Sequence, residues 1–176
     1  MFALGTCLRI TQARGDANKL HLRKRLIQKG GSIMKDITKI VIKGRSGYVP
    51  MEFYFDEKIT ITPGSIAYES KPYLGSEDDV PRKWKYTSDT PEFKEQFDAI
   101  AFEIEEVLAC RPDVQITDMN EAEFQITYSD KTKKKEKTLL FGDWYYDLFD
   151  DIKAMVPFTE YVPMTLITDE DFEEEE

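Results

Sequence analysis

Hydrophobic and polar residues alternate along several short stretches in the first half of the chain, and this period of two predicts β-strands. The first stretch starts at Ile37 and ends at the turn-forming run Gly44-Arg45-Ser46-Gly47. Pro63-Gly64-Ser65 has the composition of a tight turn between two further strands. The strands predicted before the first helix cover residues 37–43, 51–56, 58–62, 66–73 and 82–87.

The hydrophobic period changes to that of an α-helix after residue 90. Thr90 has a side chain that can cap the first turn, and Pro91 suits the first helical position, where a missing N–H costs nothing. Arg111-Pro112 ends the pattern. The apolar residues that share one face of this helix are Phe93, Phe97, Ile100, Ala101, Ile104, Val107 and Leu108.

A hairpin and a second helix are predicted in the rest of the chain. The hairpin comprises strands at 114–117 and 123–128, a turn at 129–132 and a return strand that ends near Phe141. The second helix is expected to start around Asp143 and to stop at Pro157. Its apolar face carries Trp144, Leu148, Ile152 and Met155.

This order of elements predicts an α+β fold, in which an antiparallel β-sheet built from hairpins has two α-helices packed on one face. The residues expected to be largely buried are Trp84, Phe97, Ile104, Trp144 and Leu148. The mixture Lys83-Trp84-Lys85-Tyr86 is typical of proteins that bind single-stranded nucleic acid. Alternation explains it more simply, with both aromatic residues in the core and both lysines in water.

Charge divides the chain into segments of different character. Residues 1–33 contain seven Lys or Arg and one acidic residue, Asp16, whereas the remainder contains 17 basic and 33 acidic residues. We therefore predict a basic N-terminal extension over residues 1–33, a single α+β domain over residues 34–168, and an acidic disordered tail over residues 169–176.

Two interpretations of the basic extension stay open. Codons for Lys29-Gly30-Gly31 can spell a bacterial ribosome-binding sequence about seven nucleotides before the codon of Met34, which would make the extension a misassigned start. The alternative is a basic arm with a short helix, Leu20 to Gln28, that docks on the acidic domain. A protein starting at Met34 would lack His21, the one histidine of the sequence.

Composition argues against most kinds of catalytic site. Nucleophilic triads need an imidazole as the general base, and zinc sites need His and Cys ligands at close spacing. The chain has one histidine and two distant cysteines, Cys7 and Cys110, so we predict no catalytic residues, no metal ligands and no cofactor. The cysteine usage favours a cytoplasmic location. Net charge of −10 and the lack of a long apolar run argue against nucleic-acid and membrane partners.

An aromatic residue on the polar side of the first helix is the strongest candidate for a binding site. Phe102 lies about 180° around the helix from Phe93, because each residue turns the helix by about 100°. Its acidic helical neighbours are Glu95, Asp98, Glu105 and Glu106. An aromatic side chain rimmed by acids is typical of an anchor for a protein partner. The alternative is that Phe102 packs beneath a loop or the C-terminal segment 158–167.

We therefore expect a non-enzymatic cytoplasmic protein that binds a basic protein partner through this helix, as an inhibitor or immunity protein would. The lysine-rich run Lys131 to Lys137 protects an edge strand, or contacts an acidic partner such as another copy of the chain. The alternative function is that of a carboxylate-dependent hydrolase or divalent-cation-binding protein. It would use the cluster Asp143, Asp147, Asp150 and Asp151.

Three short stretches prompt a resemblance to a group of bacterial proteins: Pro81-Arg82-Lys83-Trp84-Lys85-Tyr86, Ile126-Thr127-Tyr128-Ser129-Asp130 and Met155-Val156-Pro157. From about residue 34 onward, the chain resembles small uncharacterised acidic α+β proteins of Gram-positive bacteria. This resemblance implies no activity, cofactor or site.

Overall fold

A computed structural model describes residues 36–50, 53–71, 81–111 and 118–173 of the protein. The predicted N-terminal extension and the strand predicted at 114–117 lie outside the described residues. The described ranges form an α+β domain with six strands in one antiparallel sheet and three α-helices. In chain order the elements are β1 (Ile37–Arg45), β2 (Asp56–Thr62), β3 (Ser65–Ser70), β4 (Lys83–Thr87), α1 (Pro91–Ala109), β5 (Glu121–Tyr128), β6 (Lys133–Leu139), α2 (Tyr146–Lys153), a 3-10 turn (Met164–Leu166) and α3 (Glu170–Glu173).

The sheet has the strand order β4-β3-β2-β1-β5-β6, and every neighbouring pair is antiparallel. Two of its connections are the tight hairpins predicted from sequence. Thr62 pairs with Ser65 across the Pro63-Gly64 turn. At the β5–β6 turn, Asp130 Oδ1 accepts the backbone N–H of Thr132 at 2.9 Å. The turn-forming residues of these two hairpins therefore determine the register of their strand pairs.

Helix α1 forms where its capping residues predict it. Its first residue is Pro91, and the Thr90 side chain accepts the backbone N–H of Phe93 at 3.4 Å. Phe97 and Ile104 on its apolar face are buried. The predictions that Trp84, Phe97, Ile104 and Leu148 are core residues are confirmed.

One set of alternating strand residues forms a single hydrophobic core with the apolar faces of α1 and α2. Ile42 at the centre of the sheet is fully buried in it, and so are Ile104 of α1 and Phe149 of α2. The other alternating set of strand residues is outside this cluster and is mostly polar. Within the described ranges, no helix combines the length and apolar character needed to cross a membrane.

Three local predictions are wrong. Of the predicted strand at 51–56, residues 51–52 lie outside the described residues and residues 53–55 are not in a strand. The strand begins at Asp56, and the backbone N–H of Phe53 is donated to the Pro50 carbonyl instead of to a neighbouring strand. Tyr86 lies near the end of edge strand β4 and is 41% exposed, since it has no neighbouring strand on its outer side. Helix α2 begins at Tyr146 rather than near Asp143, and Trp144 in the preceding turn is only partly buried.

Candidate functional site

All five predicted site residues lie on α1, where helical spacing places them on one polar strip. Glu95, Asp98 and Glu106 are exposed, whereas Phe102 and Glu105 are partly buried. Phe102 is neither among the strongly exposed large hydrophobic residues nor packed on the hydrophobic core. Its role as a partner anchor therefore stays a prediction.

Glu105 has a structural contact that the sequence did not indicate. The hydroxyl of Tyr128 on β5 donates to Glu105 Oε1 at 2.5 Å, and Lys134 Nζ on β6 lies 3.9 Å from the same oxygen. Burial and this contact with the Glu105 carboxylate raise the pKa of Tyr128 to about 12. Glu105 therefore ties α1 to two strands, and its charge is partly committed within the domain.

A second acid-rimmed aromatic residue is found on α3, and it is better exposed than Phe102. Phe172 is 71% exposed and directly follows Glu170 and Asp171 in the chain. It lies in the segment predicted to be a disordered tail, of which the structure describes residues 169–173. This arrangement has the features that the sequence pattern assigned to Phe102.

Helix α3 is held against α2 by polar contacts. Asp171 accepts two hydrogen bonds from Lys153 Nζ at 2.7 and 2.8 Å, and Asp169 accepts one from the Tyr146 hydroxyl at 3.1 Å. Asp171 also accepts the backbone N–H of Thr168 at 2.7 Å, which is the reciprocal half of a capping box. The spacing Thr168-x-x-Asp171 is therefore the sequence signal that could have identified this helix.

The three helices are strongly acidic by sequence. They contain twelve acidic residues and two basic ones. The acidic residues are Glu92, Glu95, Asp98, Glu103, Glu105, Glu106, Asp147, Asp150, Asp151, Glu170, Asp171 and Glu173. We call the first eleven of these residues, together with Phe102 and Phe172, the acidic helical surface.

The sheet residues that point away from the core have the opposite charge balance. Strand pairing aligns nine basic and four acidic residues at these positions. The basic residues are Lys39, Lys43, Arg45, Lys58, Lys83, Lys85, Lys133, Lys135 and Lys137, and the acidic residues are Asp56, Glu69, Glu121 and Glu123. We call this set the basic sheet face. Sequence reasoning missed it because it assessed charge along the chain, whereas strand register combines residues from all six strands.

Among the described residues, a buried carboxylate accepts four hydrogen bonds. Glu57 on β2 is 2% exposed. Its acceptor oxygens receive the Tyr68 hydroxyl at 2.6 Å and the backbone N–H groups of Met164 and Thr165 at 3.2 and 2.9 Å. Burial and the hydrogen bond to Glu57 raise the pKa of Tyr68 well above its ordinary value. With its oxygens so committed, Glu57 serves to fasten the C-terminal segment to the sheet.

The same segment is fastened at a second point. The Trp84 indole N–H donates to the Tyr161 carbonyl at 3.0 Å, and the Arg82 guanidinium lies 4.3 Å from the centre of the Tyr161 ring. These contacts place the segment Tyr161–Thr165 over β2, β3 and β4.

The aspartates predicted for a hydrolase or a divalent-cation site do not form a common site. Asp143, Asp147 and Asp150 are exposed, and Asp150 is paired with Lys153 at 2.7 Å. In the part of the chain that the structure describes, no group of three His, Cys, Asp or Glu side chains is arranged to hold a metal ion.

A shallow groove of about 360 Å³ lies between β4, the start of α1 and the residues after α2. Its apolar wall includes Phe93, Met155 and Phe158, and Glu92 is the carboxylate at its rim. A single carboxylate does not provide the acid–base pair that a hydrolase of this type requires.

Comparison with known proteins assigns no family to the chain. Its sequence matches no protein-family model and no curated protein.

Proposed function

We propose that this domain is a binding module that recognises a basic protein partner through its acidic helical surface. In this proposal, α1 and α2 cover the same face of the sheet, which is supported by their shared hydrophobic core. Their polar sides and α3 then form one continuous surface. The protein would act without catalysis in the cytoplasm, as an inhibitor or immunity protein acts on its target.

The observation that carries the proposal is the exposure of Phe172 within this charge. A large aromatic side chain that is 71% exposed beside two carboxylates combines an apolar anchor with an electrostatic rim. Buried aromatic anchors contribute most of the affinity of many interfaces, and surrounding charges accelerate the encounter. Phe102 on α1 supplies a second, less exposed apolar contact.

A titration with a synthetic helical peptide, lysine on one face and leucine on the other, tests this surface. Binding measured by calorimetry should weaken as salt is raised, because exposed charges are screened over about 10 Å at 0.1 M ionic strength. Phe172→Ala should weaken it by about tenfold or more, the effect of removing a moderate interface anchor. Glu95→Gln combined with Glu106→Gln should lower affinity and reduce the salt dependence.

A matched control removes one carboxylate from the basic sheet face. Glu69→Gln changes the net charge by the same amount as the single variant Glu95→Gln, which is measured beside the double variant, but lies outside the acidic helical surface. This variant should bind the peptide at least as well as the unaltered protein. Equal loss of binding in Glu69→Gln and Glu95→Gln would show that only net charge matters, and unchanged binding by Phe172→Ala would remove the proposed anchor.

A further inference from the structure

The basic sheet face has a positive charge balance, opposite in sign to the net charge of the chain. The protein has a formal charge of −10, yet nine basic and four acidic residues face away from the core on six aligned strands, a local balance of +5. All the basic residues except Lys58 are exposed. A surface of this kind attracts negatively charged groups in its immediate neighbourhood.

The acidic residues of this face are already paired with neighbouring basic residues. Lys43 contacts Glu123 at 2.8 Å, and Lys58 contacts Glu69 at 2.8 Å. Lys137 contacts Glu121 at 2.7 Å. Hydrogen bonding and charge from these lysines lower the pKa of Glu69 and that of Glu123, so both stay ionised at neutral pH. Asp56 lies 3.9 Å from both Arg45 and Lys71.

Four lysines of the face form no ion pair within 4 Å among the described residues. Lys133 and Lys135 lie on edge strand β6, Lys85 lies on the opposite edge strand β4, and Lys39 lies on β1 between them. These lysines on both edges and in the middle extend the positive potential across the width of the sheet.

The acidic helices do not cancel this potential in solution. Packed layers of secondary structure lie about 10 Å apart. At physiological ionic strength exposed charges are screened over about 8 Å. A partner approaching the sheet face therefore meets mainly the lysines, and a partner approaching the helices meets mainly the carboxylates. The net charge of the chain describes neither surface.

The chemistry of the basic sheet face favours an acidic protein surface over single-stranded nucleic acid. Nucleic-acid-binding sheets stack bases on aromatic side chains. At the described outward positions, the uncharged residues between the lysines include no aromatic ring. The central row contains Val41, Thr60, Ala67 and Gln125. The carboxylates among the lysines would also repel a phosphate backbone.

We infer that this face receives the acidic helical surface of a second copy of the chain, so that the molecules associate head to tail. Both complementary surfaces are present on each molecule: twelve acidic against two basic residues on the helices, and nine basic against four acidic on the sheet. The inference rests on the acidic helical surface being a binding surface, as proposed above. Because the two surfaces differ, association is heterologous, and each added molecule leaves one of each surface free.

Sedimentation velocity of the full chain tests this directly. Assembly should increase with protein concentration at about 50 mM salt and should dissociate to monomers at about 500 mM salt, where screening acts over only a few ångströms. The variant Lys133→Glu/Lys135→Glu alters the sheet face, and the variant Glu95→Lys/Glu106→Lys alters the helices. Each variant alone should be monomeric.

Mixing the two variants gives the decisive result. Each retains one unaltered surface, so an equimolar mixture should form a complex of one molecule of each variant. The control Lys94→Glu/Lys131→Glu has the same net charge as the sheet variant, but Lys94 lies on α1 and Lys131 in the β5–β6 turn. It should associate at least as well as the unaltered protein, whereas a pure net-charge effect would make it monomeric.

Several results would overturn the inference. These are an unaltered protein that stays monomeric at low salt, association that does not respond to salt, and a mixture of the two variants that forms no complex. Thermal melting of each variant checks the fold, and Lys133→Gln/Lys135→Gln replaces the sheet variant if charge reversal prevents folding. If the unaltered protein is monomeric but binds the lysine–leucine peptide through Phe172, the proposed function stands and the self-association fails.

Discussion

Glu57 Oε2 accepts two hydrogen bonds from one residue, the backbone N–H of Thr165 at 2.9 Å and the Thr165 hydroxyl at 2.8 Å. The two residues are 108 positions apart, and both are buried. Burying a carboxylate is unfavourable unless its oxygens receive hydrogen bonds, and this pair satisfies one oxygen completely. The contact therefore joins the second strand to the C-terminal segment at one defined register.

Glu57→Gln should lower the free energy of unfolding by roughly 3 kcal/mol. The glutamine amide group would replace one acceptor oxygen by an N–H donor, and this donor would face N–H and O–H groups that now donate to the carboxylate. Urea denaturation monitored by tryptophan fluorescence measures the change. Glu69→Gln serves as the control, since the ion pair of Glu69 with Lys58 is partly exposed and is worth about 1 kcal/mol or less. A loss below about 1 kcal/mol at Glu57 would show that the buried charge is not what fastens the segment.

Gly44→Ala tests the contact between the sheet and the C-terminal segment from β1, the strand that pairs with β2. A β-carbon at Gly44 would lie 1.9 Å from Thr165 Oγ1, and 2.7 Å from its β-carbon, so the C-terminal segment would have to move. We expect a cost of about 2 kcal/mol from overpacking, measured by the same urea titration. At Gly64 an added β-carbon would have its nearest neighbouring atom 3.5 Å away, so Gly64→Ala should change stability by less than about 1 kcal/mol. Similar costs at both glycines would contradict the steric explanation.

The core and the acidic helical surface should respond oppositely to loss of a phenylalanine. Phe97 is 1% exposed, and Phe97→Ala should cost about 4 kcal/mol through lost burial and the cavity left behind. Phe172 is 71% exposed, and Phe172→Ala should change stability by no more than about 0.5 kcal/mol. Thermal melting of both variants provides the comparison. A strongly destabilised Phe172→Ala protein would mean that this side chain supports the fold and is not available to a partner.

The attachment of α3 should depend on acid pH. Although burial raises the pKa of Asp171, hydrogen bonds from Lys153 and from the Thr168 backbone bring it below its ordinary value. A carboxyl with a lowered folded-state pKa stabilises at pH values above its unfolded pKa of about 4, and this contribution is lost as the pH falls through the folded-state pKa. Amide resonances of residues 169–173, followed by NMR, should therefore shift toward unfolded positions below about pH 4.

Asp171→Asn is the matched control for this titration. Without the carboxylate, α3 should be poorly attached at neutral pH, and its amide resonances should lose most of their pH dependence. An identical acid transition in both proteins would assign the change to other carboxyl groups.

Local sequence rules were sufficient for the elements whose determinants are close together in the chain. Thr90, Pro91 and the spacing from Phe93 to Leu108 predicted α1, because a helix is decided by contacts within four residues. The Pro63-Gly64 turn predicted the β2–β3 hairpin for the same reason. A short apolar run can form a strand or a loop, and its local sequence does not distinguish the two. The run Phe53-Tyr54-Phe55 was predicted to be part of a strand, but it forms none.

By itself, the sequence determined the α+β class, the hairpins, the helical stripe and the total charge, since each follows from local spacing or from simple counting. Only the tertiary structure decided that Glu57 is a buried anchor, because its donors are contributed by Tyr68 nearby and by Thr165 at the other end of the chain. The separation of charge also depends on the fold. Antiparallel register brings Lys39, Lys85 and Lys135 from three separate strands onto one face, and no local pattern specifies which strands become neighbours.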